Sequence, residues 1–477
     1  MSALRSWLKP IAIGVAIGLA GCASLPRSSS NPSPPKTPIA ESSTVEQSHY
    51  RAAGQSPDAD NRPNVITLPQ AIHEALYTSL RVNAREEKIH QAMADLKTQS
   101  LIPNSQLFWD YQFIPLQHTD IFNQAGPPQT DLMWTVPIDW LLFGKRVAAI
   151  EASRLGVDVA TFDMRDFVRK HVQETVDAFY EHLLAKELFR LATEDLKELE
   201  KIEEIVKKQV GAGGAGAIEV DRARLARLDA KQEVRRRETE VAVTKAKLRP
   251  LIGRSAAGSD FEITGTLEVT QAAKPPDLAT VLALADQSRP DLLSDLKSID
   301  QARASVASER RKGKPQISIQ NGLSGQIQRR VTGFPNAISY DVGVTTSLPI
   351  TDRNQGNVLK AMSQLRESSL TFEADRADAA ADVEKSLQQY REAYEHVTQE
   401  DLEFLKSAKS MRDRIEAAYQ AGGRRFLEVL DAQRAYRDRV RTVVSNRADY
   451  WRALNSLNAA VGTQVVGAEA LPAPAKP

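Results

Sequence analysis

From Gln355 to Tyr419 the chain runs without a proline, and its apolar residues step by four and three. Val383, Leu387, Tyr390, Tyr394 and Val397 set the register. Phe404, Ala408, Met411, Ile415 and Ala418 resume it, with Asp401 as the one polar interruption. This is a heptad seam, which favours left-handed coiling against a partner. At 1.5 Å per residue such a helix is on the order of 100 Å long. An ordinary globular core has no use for that length; a fibre, a coiled-coil arm or a tunnel has. The stretch "YQAGGRRFLEVLDAQ", residues 419–433, then breaks the helix at Gly422 and Gly423. The returning leg repeats the seam at Val429, Ala432 and Tyr436, and again at Tyr450, Leu454, Leu457 and Val461.

The same plan is written roughly 210 residues upstream, where "KKQVGAGGAGAIEVDRARL" breaks another long helical stretch. That first leg is looser, with Val172, Val176, Phe179 and Leu183, then Leu199, Ile202 and Val206. "LPQAIHEALYTSLRV" answers "PDLATVLALADQSRPDL", and "KLRPLIG" answers "SLNAAVG". The order holds without shuffling, so the body reads as a tandem duplication whose period is far too long for a solenoid. The expected repeats are residues 65–253 and 277–462, joined by 254–276 and followed by a tail, 463–477. Each reads helix, strand, strand, very long helix, glycine break, long helix.

Four strands are expected. In "LFWDYQF" Leu107, Trp109, Tyr111 and Phe113 share a face opposite Asp110 and Gln112. In "DLMWTVPID" Leu132, Trp134, Val136 and Ile138 oppose Asp131, Thr135 and Asp139. "QISIQNGLSGQ" alternates more weakly, and "ISYDVGVTTSLPI" sets Ile338, Tyr340, Val342, Val344, Leu348 and Ile350 against Ser339, Asp341, Thr345 and Ser347. Apolar residues on one side and small or polar ones on the other is the pattern of a membrane β-barrel strand, and equally of a soluble sheet over a core. The N-terminus favours the membrane. Arg5 and Lys9 precede "PIAIGVAIGLAG", too short to span a bilayer and ordered like a secretory signal peptide, residues 1–21. It ends in "LAGC", which resembles the lipobox of bacterial lipoproteins and makes Cys22, the chain's single cysteine, the expected lipidation site. Ala23 in place of Asp points to the outer membrane. Residues 22–64 are a Ser/Pro-rich tether. Four strands cannot close a barrel, since barrels start near eight, and an open edge in lipid leaves unpaired backbone groups. The strands must be pooled between copies of the chain.

Other chemistries find little support. The net charge of +1 gives no electrostatic footprint for nucleic acid. The basic runs Arg235–Arg237 and Arg310–Lys312 have acidic neighbours and read as solvated helix faces. "GAGGAG" fits the dinucleotide fingerprint by letter, but its flanks are helical and no strand precedes it. The seven histidines are scattered, without ligand spacing, so no metal site or cofactor is expected. No nucleophile-and-base constellation is visible, so no enzyme is expected.

The duplication, the strand pairs between helices, and "YQAGGRRFLEVLDAQRAY" resemble the TolC-type outer-membrane efflux channels across roughly residues 65–462. "VPIDWLLFGKR" is similar to their cobalt-zinc-cadmium export branch. The resemblance implies a mainly α fold with membrane β: a homotrimer pooling four strands per chain in a twelve-stranded barrel, continued by antiparallel coiled-coil helices as a periplasmic tunnel. It implies an outer-membrane lipid setting, a periplasmic adaptor and an inner-membrane transporter as partners, and a passive exit duct as function. A periplasmic adaptor or structural coiled-coil lipoprotein is the competing class. The resemblance further implies that Gly211, Gly213, Gly214, Gly216, Gly422 and Gly423 mark adaptor-docking tips. Glu428 and Asp431, three apart on one helical face, would line the closed entrance as carboxylate rings. Tyr419, Arg424 and Glu219 match the residues of the family's latch, with Glu219–Arg424 contacts expected to hold the tip shut.

Overall fold

The computed structural model describes residues 64–112, 129–211, 216–255, 260–329, 333–421 and 423–466. Cys22, the tether up to residue 63, Phe113, Gly213, Gly214, Gly422 and the tail from 467 lie outside them. In chain order the elements are β1 (Val65–Ile66), α1 (Leu68–Tyr77), α2 (Leu80–Ser100), β2 (Gln106–Gln112), β3 (Gln129–Pro137), a one-turn α3 (Asp139–Leu142), α4 (Lys145–Gly211) and α5 (Ala217–Leu251). Then come β4 (Glu262–Ile263), α6 (Leu278–Ser288), α7 (Pro290–Lys312), β5 (Gln316–Gln326), β6 (Ala337–Ser347), α8 (Gln355–Glu395), a π-turn (His396–Glu400), α9 (Asp401–Gln420) and α10 (Phe426–Val461). At 67 residues α4 extends about 100 Å.

Each half opens with two helices, not the single one expected. Thr78 and Ser79 divide the first pair, and Arg289 divides the second, where Pro290 takes the first helical position that suits its missing N–H. The two halves close alike. Gly253 ends the first with φ 67° and Gly462 ends the second with φ 81°, the left-handed conformation in which glycine has no Cβ penalty. A Cβ on Gly253 would lie 2.4 Å from the Thr78 carbonyl oxygen, and one on Gly462 would lie 3.0 Å from that of Ser288. The hydroxyl of Thr78 donates to the Ile252 carbonyl at 2.9 Å, and the hydroxyl of Ser288 to that of Val461 at 3.5 Å. The break between the two leading helices thus receives the end of the returning helix in both halves.

The segment between the halves is tied down by two cores. β1 and β4 pair in parallel, Ile66 opposite Ile263, and bury Phe261, Phe179, Leu248 and Ile252 with them. The second core holds Tyr390, Tyr450, Leu387 and Leu457, all from the predicted seam. Its two tyrosines grip the connection: the Tyr390 hydroxyl donates to the Ala273 carbonyl at 2.7 Å, and the Ala273 N–H donates to the Tyr450 hydroxyl at 3.1 Å.

The predicted helix from Gln355 to Tyr419 is interrupted. The π-turn His396–Glu400 inserts a wider turn just before Asp401. Asp401 is buried and accepts from the Asn446 side chain of α10 at 2.8 Å. A carboxylate in a heptad seam has to meet a donor, and a local change of helix type is one way to bring the two together. Further along, Phe404 and Met411 of the seam are 46% and 44% exposed, and the Arg439 guanidinium lies 5.0 Å from the Phe404 ring.

The four strands form one antiparallel sheet in the order β2-β3-β5-β6, with β3 and β5 joining the two halves. Among the described residues the outer edges of β2 and β6 have no strand beside them. Trp109, Leu132, Leu323 and Tyr340 are register partners in one row across all four strands, and all four are exposed. The next row, on the opposite face, is Asp110, Asp131, Ser324 and Ser339. Two strands end earlier than expected. β3 stops at Pro137, so Ile138 and Asp139 leave the strand face and Asp139 begins α3. β6 stops at Ser347, so Leu348 and Ile350 belong to the following turn. The Ile138 N–H still donates to the Ile317 carbonyl of β5 at 2.9 Å before α3 turns away.

Candidate functional site: the paired hairpin tips

The two glycine breaks are hairpin ends, and the fold brings them together. In each hairpin five residues separate the outgoing helix from the returning one: Gly211 ends α4 and Ala217 starts α5, Gln420 ends α9 and Phe426 starts α10. Gly211 is the last helical residue of α4, and Gly216 is the N-cap of α5 with extended backbone. The Gly423 N–H donates to the Ala418 carbonyl at 2.9 Å, closing the C-terminus of α9.

A small apolar core welds the tips. Phe426 and Leu430 of the second hairpin are buried with Leu199, Val206, Ala223 and Ala226 of the first, and Tyr419 packs at its edge. The Tyr419 and Phe426 rings lie 5.9 Å apart. The Tyr419 hydroxyl crosses to the first hairpin and donates to Gln209 Oε1 at 2.8 Å. Burial, with the nearby negative charge of Glu219, raises the pKa of this phenol and keeps it a donor.

Arg424 pairs elsewhere than expected. Its guanidinium donates to Glu428 Oε2 at 2.7 Å, one helical turn on, and Glu219 is not among its described partners. Glu428 also accepts the Arg425 N–H at 3.4 Å, so it acts as a first-turn acid at the positive end of α10. The Arg424 hydrogen bond holds its carboxyl below the usual range. Glu219 occupies the same third position of α5, half-buried near Tyr419. Asp431 is exposed, one turn beyond Glu428. The pairing is local: Arg424 lies in the turn just before α10, four residues from Glu428 in its first turn.

Sequence reasoning missed three contributors. Phe426 lies three residues before Val429 and extends the returning seam to the first position of α10, so the heptad could have found it. Gln209 carries no signal of its own. Glu203 is buried two turns above the first tip and bonded to Arg227 and Lys207. It reads from sequence as one more acid on a charged helix. Among the described residues no helix is long and apolar enough to cross a membrane, and no cluster of three or more His, Cys, Asp or Glu side chains is placed to hold a metal ion.

Comparison with known proteins agrees with this architecture. Residues 281–463 match the model of the "Outer membrane efflux protein" family. The chain is 23% identical to the cobalt-zinc-cadmium resistance protein CzcC of Cupriavidus metallidurans, over 65% of this chain and 69% of that one. It is 24% identical to the probable outer membrane lipoprotein SilC of Salmonella typhimurium, over 59% of this chain and 60% of that one. Its fold superimposes on the solved structure of CusC with a TM-score of 0.68 at 20% identity, covering 83% of this chain and 92% of CusC. A membrane protein from Pseudomonas aeruginosa gives a TM-score of 0.70 at 19% identity, over 83% of this chain and 92% of that one. Long paired hairpins and an open amphipathic sheet go with these likenesses, and over residues 281–463 the chain is similar to the outer membrane efflux protein family.

Proposed function

We propose that the protein is the outer-membrane duct of a tripartite efflux pump, a passive exit and not an enzyme. One observation carries the reading: an open four-stranded sheet, apolar on one exposed face and polar on the other, stands on helices about 100 Å long. The unpaired edges of β2 and β6 call for neighbouring copies, and three copies give twelve strands, enough for an aqueous lumen. A periplasmic adaptor or structural coiled-coil lipoprotein, the competing class, has no use for such a sheet. The chain is read as a tandem repeat, residues 65–253 and 277–462, anchored through acyl chains on Cys22. A periplasmic adaptor docks at the hairpin tips, and an inner-membrane transporter supplies the cargo. Divalent metal cations are the proposed cargo, motivated by the likeness to CzcC and by "VPIDWLLFGKR". Membrane fractionation and unheated gels test this directly. The protein should sediment with outer membranes and run as a heat-modifiable trimer. A monomer confined to the inner membrane would overturn the reading.

At the tips, three copies of Glu428 and Asp431 form stacked carboxylate rings, with each Arg424 neutralising a Glu428. Such rings concentrate cations at a constriction. Arg424→Gln leaves three carboxylates uncompensated, so single-channel conductance in planar bilayers should rise and tilt toward cations. Because the Arg424 hydrogen bond keeps Glu428 ionised well into acid, the wild-type ring should hold its charge from neutral pH down to the ordinary carboxylate range. Unchanged conductance and selectivity in the variant would remove the tip from the permeation path.

A further inference from the structure

The helical end of the sheet carries a feature that the duct reading does not use. Four turns meet there. Arg146 Nε donates to the Ser100 carbonyl at 3.0 Å, and Arg311 Nη1 to that of Gly144 at 2.9 Å. Lys145 Nζ reaches the Pro315 carbonyl at 3.1 Å, and Asn354 Nδ2 the Glu309 carbonyl at 2.8 Å. These contacts gather seven cationic residues: Lys145, Arg146, Arg310, Arg311, Lys312, Lys314 and Arg353. The same turns supply three acids, Asp139, Glu309 and Asp352. Asp139 is taken by Lys145 at 2.7 Å and Glu309 by Lys312 at 2.6 Å. Arg310, Lys314 and Arg353 are exposed, and the described ion pairs engage none of them.

Beside this excess of positive charge lies an apolar rim. Leu101, Ile102, Leu141, Leu142, Leu348 and Ile350 are each more than half exposed. Leu101 and Ile102 precede β2, Leu141 and Leu142 belong to α3, and Leu348 and Ile350 follow β6. Trp140 stands at the junction, its Nε1 donating to the Pro137 carbonyl at 2.8 Å and its ring 5.6 Å from the Arg146 guanidinium. A Trp with one polar end bonded belongs at a membrane–water boundary. Lys145 and Arg146 also open α4 at its positive dipole end, where acids are the favoured residues. A local preference set aside in this way is a pointer to function.

We propose that this rim is a docking surface for anionic phospholipid headgroups of the leaflet on the helical side of the sheet, with Arg310, Lys314 and Arg353 as the phosphate-binding cations. Acyl chains would lie on Leu101, Ile102, Leu348 and Ile350, while the three free side chains meet the phosphates. Exposed cations near a lipid surface attract anionic lipid, and guanidinium groups add bidentate geometry. A plain solvated surface would need acids in proportion, and these turns lack them. The inference rests on the sheet being a membrane wall, and the test keeps the two apart.

The purified full-length protein is placed in nanodiscs of phosphatidylethanolamine, with or without phosphatidylglycerol, and retained lipid is counted by native mass spectrometry. Phosphatidylglycerol should be retained about tenfold over phosphatidylethanolamine, as expected for several exposed cations at a lipid surface. High salt should erase most of that preference. The triple variant Arg310→Gln, Lys314→Gln, Arg353→Gln should lose it, while Lys406→Gln with Lys409→Gln, on α9, should keep it. Equal retention of both lipids by the wild type, or full preference in the triple variant, would overturn the inference while leaving the membrane wall standing. Failure to enter any bilayer would count against the wall itself. Should the triple variant not assemble, the salt dependence of the wild type decides.

Discussion

Replacing Arg254 with leucine is expected to lower the unfolding free energy by about 3–5 kcal/mol, the cost of leaving one member of a buried ion pair alone. Arg254 Nε and Nη2 donate to the two oxygens of Glu74 at 2.8 and 2.7 Å, and both side chains are almost wholly buried. The guanidinium also lies 5.4 Å from the Phe261 ring, beside the β1–β4 pair. The two charges tie α1 to the segment that leaves the first half, so the pair sits where that segment must hold its course. Without Arg254 the Glu74 carboxylate has neither water nor its partner. The double variant Glu74→Leu, Arg254→Leu should recover most of the loss, because the penalty belongs to the lone charge and not to the absence of the pair. Urea midpoints of the solubilised protein distinguish these outcomes. A double variant as weak as the single one would show that the pair contributes net stability of its own.

Phe426→Ala is expected to loosen the hairpin tips by about 3–5 kcal/mol, the usual range for deleting a buried phenyl ring from a packed site. The ring is 2% exposed and packs in the cluster that joins the two hairpins. Its loss leaves Leu430 and the Tyr419–Gln209 hydrogen bond, the latter worth about 1 kcal/mol net, as the links across the tip. Amide exchange should therefore speed up in residues 199–211 and 417–430 by two to three orders of magnitude, while the Tyr390–Tyr450 core keeps its protection. Tyr419→Phe should give a far smaller change at the same amides. Uniform exchange throughout the chain in Phe426→Ala would mean that the tips are not a separate unit of stability. In planar bilayers the loosened tip should raise conductance, which ties the packing to the duct reading.

Much of the candidate site was legible in the sequence. The glycine breaks, the returning seam and the first-turn acid Glu428 each have local signatures: helix permissiveness, period and N-terminal charge. What the sequence did not fix was partnership within the chain. Arg424 looked free to reach the other hairpin, yet Glu428, four residues on, is always within reach of it and needs no assembly. Gln209 and Glu203 gave no signal, because their roles depend on what the facing helix places opposite them. The basic run Arg310–Lys312 was read as a solvated face. Its excess charge becomes visible only when four turns that are distant in sequence meet.

The fold divides along the same line. Periodicity alone determined the long helices and the four alternating strands, since these follow from side-chain spacing within a single element. Tertiary structure decided where the elements stop and what they touch. β3 gives way to α3 after Pro137, and the seam widens into a π-turn where buried Asp401 meets Asn446. β1 and β4, two residues each, are strands only because they pair with each other across most of the first half. Spacing is a property of one segment and can be read from it. A partner is a property of two, and only the folded chain brings them together.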